Sequence, residues 1–428
     1  MPVGDLLRLI GESLLGLIAS PTALLLLSVV VWFVYVQAAR SAAVEQYMFG
    51  VVRTSTRRQT LQALGMGLLG GALATALFVG LGITFDISFI DTWRVLFLVA
   101  LALALVQPRF MCFAYAGGLG SLASLVAGLF GWRLGVDVPA VMALVGALHL
   151  VEALLVWLDG HISPTPLYIK QPDGQVVGGF ALQKVWPLPF VAAVGFVVAR
   201  EMVTGQTVPM PDWWPLFGPR TPVPAGHEMV FHLLPVVAGL GYGDFTVTRD
   251  PRVKARDSAG GLVLFSLLLL ALALGARQVT ALAWVAAIFS PLGHDLLIHW
   301  GRWREHGEPV FVSRDGVMVL DVLPNTPAAQ MGLHPGDLIR AFNGQAVRNR
   351  EELQAAMEPW SVDVELEVEN RLGPSRGRRV VRYPGRVPPL GIVPAPEPDE
   401  PRYVTLQMSG PLQRWWRRLR RRLEGRPL

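Results

Sequence analysis

A chain of 428 residues that is 52% hydrophobic and only 16% charged is excluded from the class of single soluble domains, which carry about 25% charged residues. The formal net charge of +5 is unevenly laid out, sparse before Gly301 and dense after it. A single cysteine, Cys112, excludes an intrachain disulfide and a cysteine-based metal cluster.

The N-terminus lacks the basic n-region and small-residue cleavage site of a signal peptide, and Pro21 interrupts its apolar run. A membrane-spanning helix needs ~20 mostly apolar residues. By that measure, helical spans are expected at Leu14–Gln37, Leu61–Ile83, Phe110–Trp132, Val138–Leu158, Val185–Met202, Leu262–Ala276 and Val279–His299. Trp93–Val106 is apolar but brief. Met229–Gly241 is the weakest, and Pro235, Gly239 and Gly241 point to a broken or re-entrant segment there.

Basic residues in short loops set orientation. Arg40, Arg53, Arg57 and Arg58 in the first loop, and Arg249, Arg252, Lys254 and Arg256 in Asp244–Ser258, place both loops in the cytoplasm. Phe85–Asp91 and Gly205–Gly226 then lie outside, with Trp213 and Trp214 suited to the interface. Nine spans put the N-terminus outside and eight put it inside. Either count leaves the region after Gly301 cytoplasmic.

Ionisable groups within lipid are expensive and invite a functional reading. His149 and Glu152 share a helix face, and His294, Asp295 and His299 end the last span; the plain reading has them hydrogen-bonded inside the bundle. A zinc protease needs H-E-x-x-H, which puts two imidazoles one helical turn apart. In His227-Glu228-Met229-Val230-Phe231-His232 the imidazoles are five residues apart, ~140° around a helix, so they do not converge. No catalytic residue, metal ligand or cofactor is assigned.

After residue 307 the pattern turns β-rich. Val317–Val322 alternates as a strand, Thr326–Met331 is a short helix closed by Gly332, and Leu338–Phe342 is a strand ended by Asn343-Gly344. Arg350–Met357 is an amphipathic helix capped by Asn349, and Val362–Val368 pairs with Arg379–Arg382. The ordered set from Asn325 to Gly344, N-x-P-A-x-x-x-G-L-x-x-G-D-x-I-x-x-x-N-G, resembles bacterial PDZ domains. That resemblance implies a peptide groove between a strand and the second helix, filled by strand addition. In the circularly permuted bacterial form the carboxylate loop comes last, which implies Leu390, Gly391 and Ile392 for the loop and Leu353 and Met357 for the helix side. Pro394, Pro396, Pro398 and Pro401 would keep the ligand-binding strand very short.

The tail from Arg414 to Leu423 packs six arginines, Arg414, Arg417, Arg418, Arg420, Arg421 and Arg422, around Trp415 and Trp416. Its pattern is that of a helix lying on anionic lipid, with ~1 kcal/mol gained per basic residue. Nucleic acid is not needed to explain it.

The expected fold is thus an α-helical polytopic membrane bundle of eight or nine segments (1–300) and a small α+β PDZ domain of the permuted type (307–394). A Pro/acidic linker (395–412) and the basic tail (413–428) follow. Together with the break at Ser20-Pro21, the block Phe231 to Asp244 and Pro291-Leu292-Gly293-His294, this order resembles the MinJ-like topological determinants of cell division. The resemblance implies a non-catalytic scaffold in the bacterial cell membrane, at division sites and poles. It implies partners of the DivIVA, MinD and MinC types, and leaves homo-oligomerisation open. A site-2-type intramembrane protease or its regulator, and a PDZ-regulated transporter-like bundle, are the alternatives.

Overall fold

The computed structural model describes residues 3–86, 89–203, 207–219, 221–357, 362–370, 378–386, 388–405, 412–413 and 415–416. The chain opens with α1 (Val3–Ala19) and α2 (Pro21–Phe49). They are separate helices because Ser20 is extended and its hydroxyl accepts from the amide of Ala23, with Pro21 at the first helical position. The single span expected at Leu14–Gln37 is therefore split.

Then come α3 (Thr56–Leu81), the short strand β1 (Thr84–Asp86), α4 (Phe89–Val106), α5 (Phe113–Leu129) and α6 (Val138–Asp159). Among the described residues α2, α3, α6, α7 (Pro251–Gly275) and α8 (Thr280–Trp303) are long and apolar enough to cross a membrane, while the apolar parts of α4 and α5 are shorter. Leu25, Leu98 and Leu264 are each more than 60% exposed on α2, α4 and α7, as lipid-facing side chains are. The centre of the bundle is α6, whose side chains are buried on nearly every face.

Two segments expected to lie in the membrane as helical or broken-helical pieces are strands. Val185–Met202 lies in β3 (Val176–Ala199) with a short 3-10 turn after it, and Met229–Gly241 lies in β4 (His227–Thr246). The two pair antiparallel from Ala199↔His227 to Phe180↔Thr246. At ~3.3 Å per residue such a hairpin exceeds the ~30 Å hydrocarbon thickness. Strand backbone at membrane depth survives only when protein covers it; α3 packs along β3, and α1, α2 and α6 pack against β4.

The local chemistry explains how. Along its other edge β3 pairs with β2 (Thr165–Lys170) at residues 176–181 and with β1 at 193–195. Between those contacts that edge has no strand partner among the described residues. Pro187 and Pro189 have no N–H to leave unsatisfied there, and the amide of Val191, next in the same alternation, donates to Thr75 Oγ1 at 3.0 Å. The helix comes close because Gly67 and Gly71 face the strand: a Cβ at either would sit 2.0–2.1 Å from the carbonyl oxygen of Pro187 or Pro189.

The C-terminal part carries β5 (Val317–Val322), α9 (Pro327–Gln330), β6 (Asp337–Phe342), β7 (Gln345–Ala346), α10 (Arg350–Ala356), β8 (Val362–Asn370), β9 (Arg378–Arg386) and β10 (Ile392–Pro394). The main path of its sheet is β10-β5-β6-β8-β9. Asn349 caps α10 by accepting from the amide of Glu352 at 2.7 Å, as its sequence position implies.

Candidate functional site

The most apolar strand of the C-terminal domain, β5, is buried on both faces. Val317 and Val319 join the domain's own core with Leu353, Val364 and Leu390. Met318 and Leu320, on the alternate face, join the core of the membrane part with Leu167, Val177 and Phe180. The domain is seated on the membrane part.

Three further contacts fix the seat. The amide of Gly178 in β3 donates to the carbonyl of Phe311 at 2.8 Å, and the Phe311 ring stands edge-on to Phe180. Tyr168 in β2 donates its hydroxyl proton to the carbonyl of Pro394 at 2.7 Å; burial pushes its phenol up to about 12. Arg53, from the loop between α2 and α3, donates to the carboxylate of Asp321 and to the carbonyl of Pro164. Asp321 is buried, and its carboxyl is held above the usual carboxylate range because desolvation outweighs the pull of Arg53.

Beside this seat is a second buried polar knot. Glu305, just past α8, accepts from the amides of Val247 and Thr248 at 3.0 and 3.3 Å and stands 3.5 Å from both Arg249 and Lys254. Lys254 is 2% exposed and also meets Asp244 at 3.3 Å. Of the four basic residues of Asp244–Ser258, Arg249 and Lys254 thus turn inward onto acids, while Arg252 and Arg256 are exposed.

The resemblance implies a peptide groove between β10 and α10. Its strand is an edge of the sheet and only three residues long, with a register shift at Val393/Pro394. Gly391 adopts φ +79°, and a Cβ there would lie 2.3–2.5 Å from Thr326, so the loop before the strand requires glycine. The carbonyls of Leu390 and Gly391 accept from Ala328 and Leu323 at 2.9 and 2.8 Å, which anchors the loop. Ile392 and Met357 are half-buried along the groove. Leu353 and Leu390 are 5% and 4% exposed and belong to the core beneath it.

At the start of α10, Arg350 donates to the carbonyl of Ala395 at 3.0 Å and to Glu400 at 3.2 Å, and its amide donates to Glu397 at 2.8 Å. The Pro/acidic segment after β10 is thus laid against the domain at Glu397 and Glu400 and then against β2, where the amide of Val404 donates to the carbonyl of Tyr168 at 2.8 Å. Of the tail, Trp415 and Trp416 are exposed, with ring centroids 6.2 Å apart; the tail arginines lie outside the described residues.

His227 and His232 fall on β4, where an odd spacing points them to opposite faces; His232 packs edge-on to Phe196. They hold no metal together. The structure does bring His149 and His294 into contact, with ring centroids 5.2 Å apart. Asp295 meets Arg109, Tyr115 and His299 at 3.1 Å each.

Residues 318–370 match the PDZ domain family. Over 369 residues, 81% of this chain and 88% of the relative, the sequence is 25% identical to the cell division topological determinant MinJ of Bacillus subtilis. A MinJ relative from Lacticaseibacillus paracasei is 31% identical over 124 residues, 28% of this chain and 34% of its own. HhoB of Synechocystis sp., named as a serine protease, is 36% identical over 87 residues, 20% of this chain and 21% of its own. A match over a fifth of each chain carries no activity across.

Proposed function

From a membrane chain that is MinJ-like over 81% of its length and carries a PDZ domain, we propose a non-catalytic scaffold that holds cell-division proteins at the inner face of the cell membrane. The observation that carries this reading is the seating of the PDZ domain, through β5, Tyr168 and Arg53, on the membrane part. A groove held in this way meets membrane-bound partners at high effective concentration, without needing high affinity.

A cytoplasmic PDZ domain is the orientation we propose, and the same contacts support it. The two loops that the distribution of basic residues assigns to the cytoplasm are those carrying Arg53 and Arg249; the first pairs with Asp321 of the PDZ domain, and the second reaches the start of the domain where the carbonyl of Val247 accepts from the amide of Val310. The partners proposed are proteins of the DivIVA type on one side and MinD with MinC on the other. They are met by the groove at Leu390–Ile392 and Met357 and by the exposed cytoplasmic loops, and the arginine-rich tail adds contact with anionic lipid.

The test is in dividing cells. A fluorescent fusion should concentrate at septa and poles and should crosslink to its partners, with the reporter after Leu428 active only in the cytoplasm. A uniformly distributed fusion, or a reporter active on the outer side, rejects the reading.

A further inference from the structure

The turn before α5 carries Cys112 into the middle of the bundle, against two histidines from different helices. Its Sγ lies 3.1 Å from His149 Nε2, midway along α6, and 3.8 Å from His294 Nε2 on α8. All three ligand atoms fall within 4.8 Å of one another, and His149 is buried. A tetrahedral site with metal–sulfur and metal–nitrogen bonds of ~2.3 and ~2.0 Å sets sulfur and nitrogen ~3.5 Å apart, between the two separations found here.

The hydrogen bonding around the cluster directs both imidazoles inward. His149 Nδ1 lies 2.7 Å from the carbonyl of Val145, which accepts a proton from that nitrogen and leaves Nε2 with its lone pair. His294 Nδ1 lies 3.5 Å from the Tyr115 hydroxyl, which itself donates to Asp295 Oδ1 at 3.1 Å. Tyr115 therefore accepts from Nδ1, and His294 Nε2 also presents a lone pair. Asp295 is held in turn by Arg109 at 3.1 Å. This histidine–hydroxyl–carboxylate relay is the outer shell that orients metal-bound imidazoles.

Without a cation the arrangement is short of protons. Two lone pairs and a sulfur converge, and one S–H can serve only one of the two nitrogens. Sγ also caps α5, accepting from the amide of Ala114 at 3.4 Å, which fixes the sulfur in place. The geometry is held by the backbone: Ser290 Oγ donates to the carbonyl of Ala114 at 2.8 Å, and Gly118 lies against Pro291 so closely that a Cβ would stand 2.4 Å from its ring.

We propose that Cys112, His149 and His294 bind one borderline-soft transition-metal ion of the Zn2+ class, pinning the turn before α5 to α6 and α8. Three protein ligands leave one tetrahedral position to solvent. A lone cysteine excludes a multi-thiolate cluster, but it leaves this mixed thiolate–imidazole set available. No reaction is assigned to the ion.

The test uses the full chain in detergent. Parent protein should withdraw about one equivalent of Zn2+ from a chromophoric chelator, and with Co2+ it should give a thiolate-to-cobalt charge-transfer band and tetrahedral visible bands. Cys112→Ser should abolish the charge-transfer band. His149→Gln and His294→Gln should lose stoichiometric binding, and His299→Gln, on the same helix but outside the cluster, should keep it. Tyr115→Phe retains the ring and should weaken affinity ~10–100-fold, as loss of an outer-shell partner does. Parent protein that cannot compete with the chelator, or that takes Co2+ without the thiolate band, overturns the proposal whatever the variants do. Equal binding by parent and both histidine variants overturns it as well.

Discussion

Arg53 and Asp321 stand 268 positions apart in sequence, yet they form a largely buried ion pair that joins the loop between α2 and α3 to the first strand of the PDZ domain. Removing Arg53 leaves a buried carboxylate without its cation, and such losses cost about 3 kcal/mol or more. Arg53→Ala should therefore loosen the domain from its seat, read as faster amide exchange in β5 and β2. Asp321→Asn, which removes the buried charge, should cost much less. Equal effects from the two would show that the pair does not govern the seat.

The same carboxyl sets a pH dependence. Its value in the folded protein is raised above the unfolded one, so its contribution to stability is complete below the ordinary carboxylate range and declines as pH climbs through the raised value. Difference curves of parent against Asp321→Asn should show parent losing ground with rising pH across that window. A flat difference would contradict it.

Gly178 offers a cleaner way to unseat the domain. A Cβ there would meet Phe311 at 2.9–3.0 Å and Leu320 at 3.1 Å, and overpacking of this kind costs ~1–3 kcal/mol. Gly178→Val should expose the connection near Phe311 to limited proteolysis while membrane insertion persists. Unchanged cleavage would mean the interface yields without cost.

Gly71 faces backbone that cannot move aside. Gly71→Leu forces its side chain into the carbonyl of Pro189, so α3 must separate from β3. The protein should fail to accumulate in membranes, whereas Gly65→Leu, at a glycine with open space around it, should accumulate as parent does. Normal levels of the first variant would reject the role given to α3.

For the groove, Met357→Lys should reduce capture of division proteins while lowering the thermal transition far less than a change in the core does, since Met357 only flanks that core. Leu353→Glu is a poorer reagent, since Leu353 lies in the PDZ core and its replacement buries a carboxylate. If Met357→Lys captures partners as well as parent does, the groove is not their docking site.

Much of this was legible beforehand. The PDZ strands and the cap at Asn349 follow from alternation and turn residues, and the long helices follow from apolar length. Length and hydropathy do not distinguish a helix from an apolar strand, which is why the β3–β4 hairpin reads as helical from sequence. The signal that could have corrected it was local: Pro187 and Pro189 two residues apart break a helix, and Gly239, Gly241 and Gly243 repeat with strand period. The seat of the PDZ domain was hidden for another reason. Met318 and Leu320 mark a second buried face of β5, but nothing in a single sequence says what covers it. The Cys112 cluster draws on three separate segments and has no spacing to recognise.

The bare edge at Pro187 and Pro189 also constrains how the molecule is made. When β3 leaves the ribosome, α3 has already been synthesised and β4 has not. One flank of the strand can shelter at once against a helix that asks for no hydrogen bonds at the prolines. The other flank has its partner, β4, only in later chain, so chain order alone lets the helix side of the strand form before the sheet side.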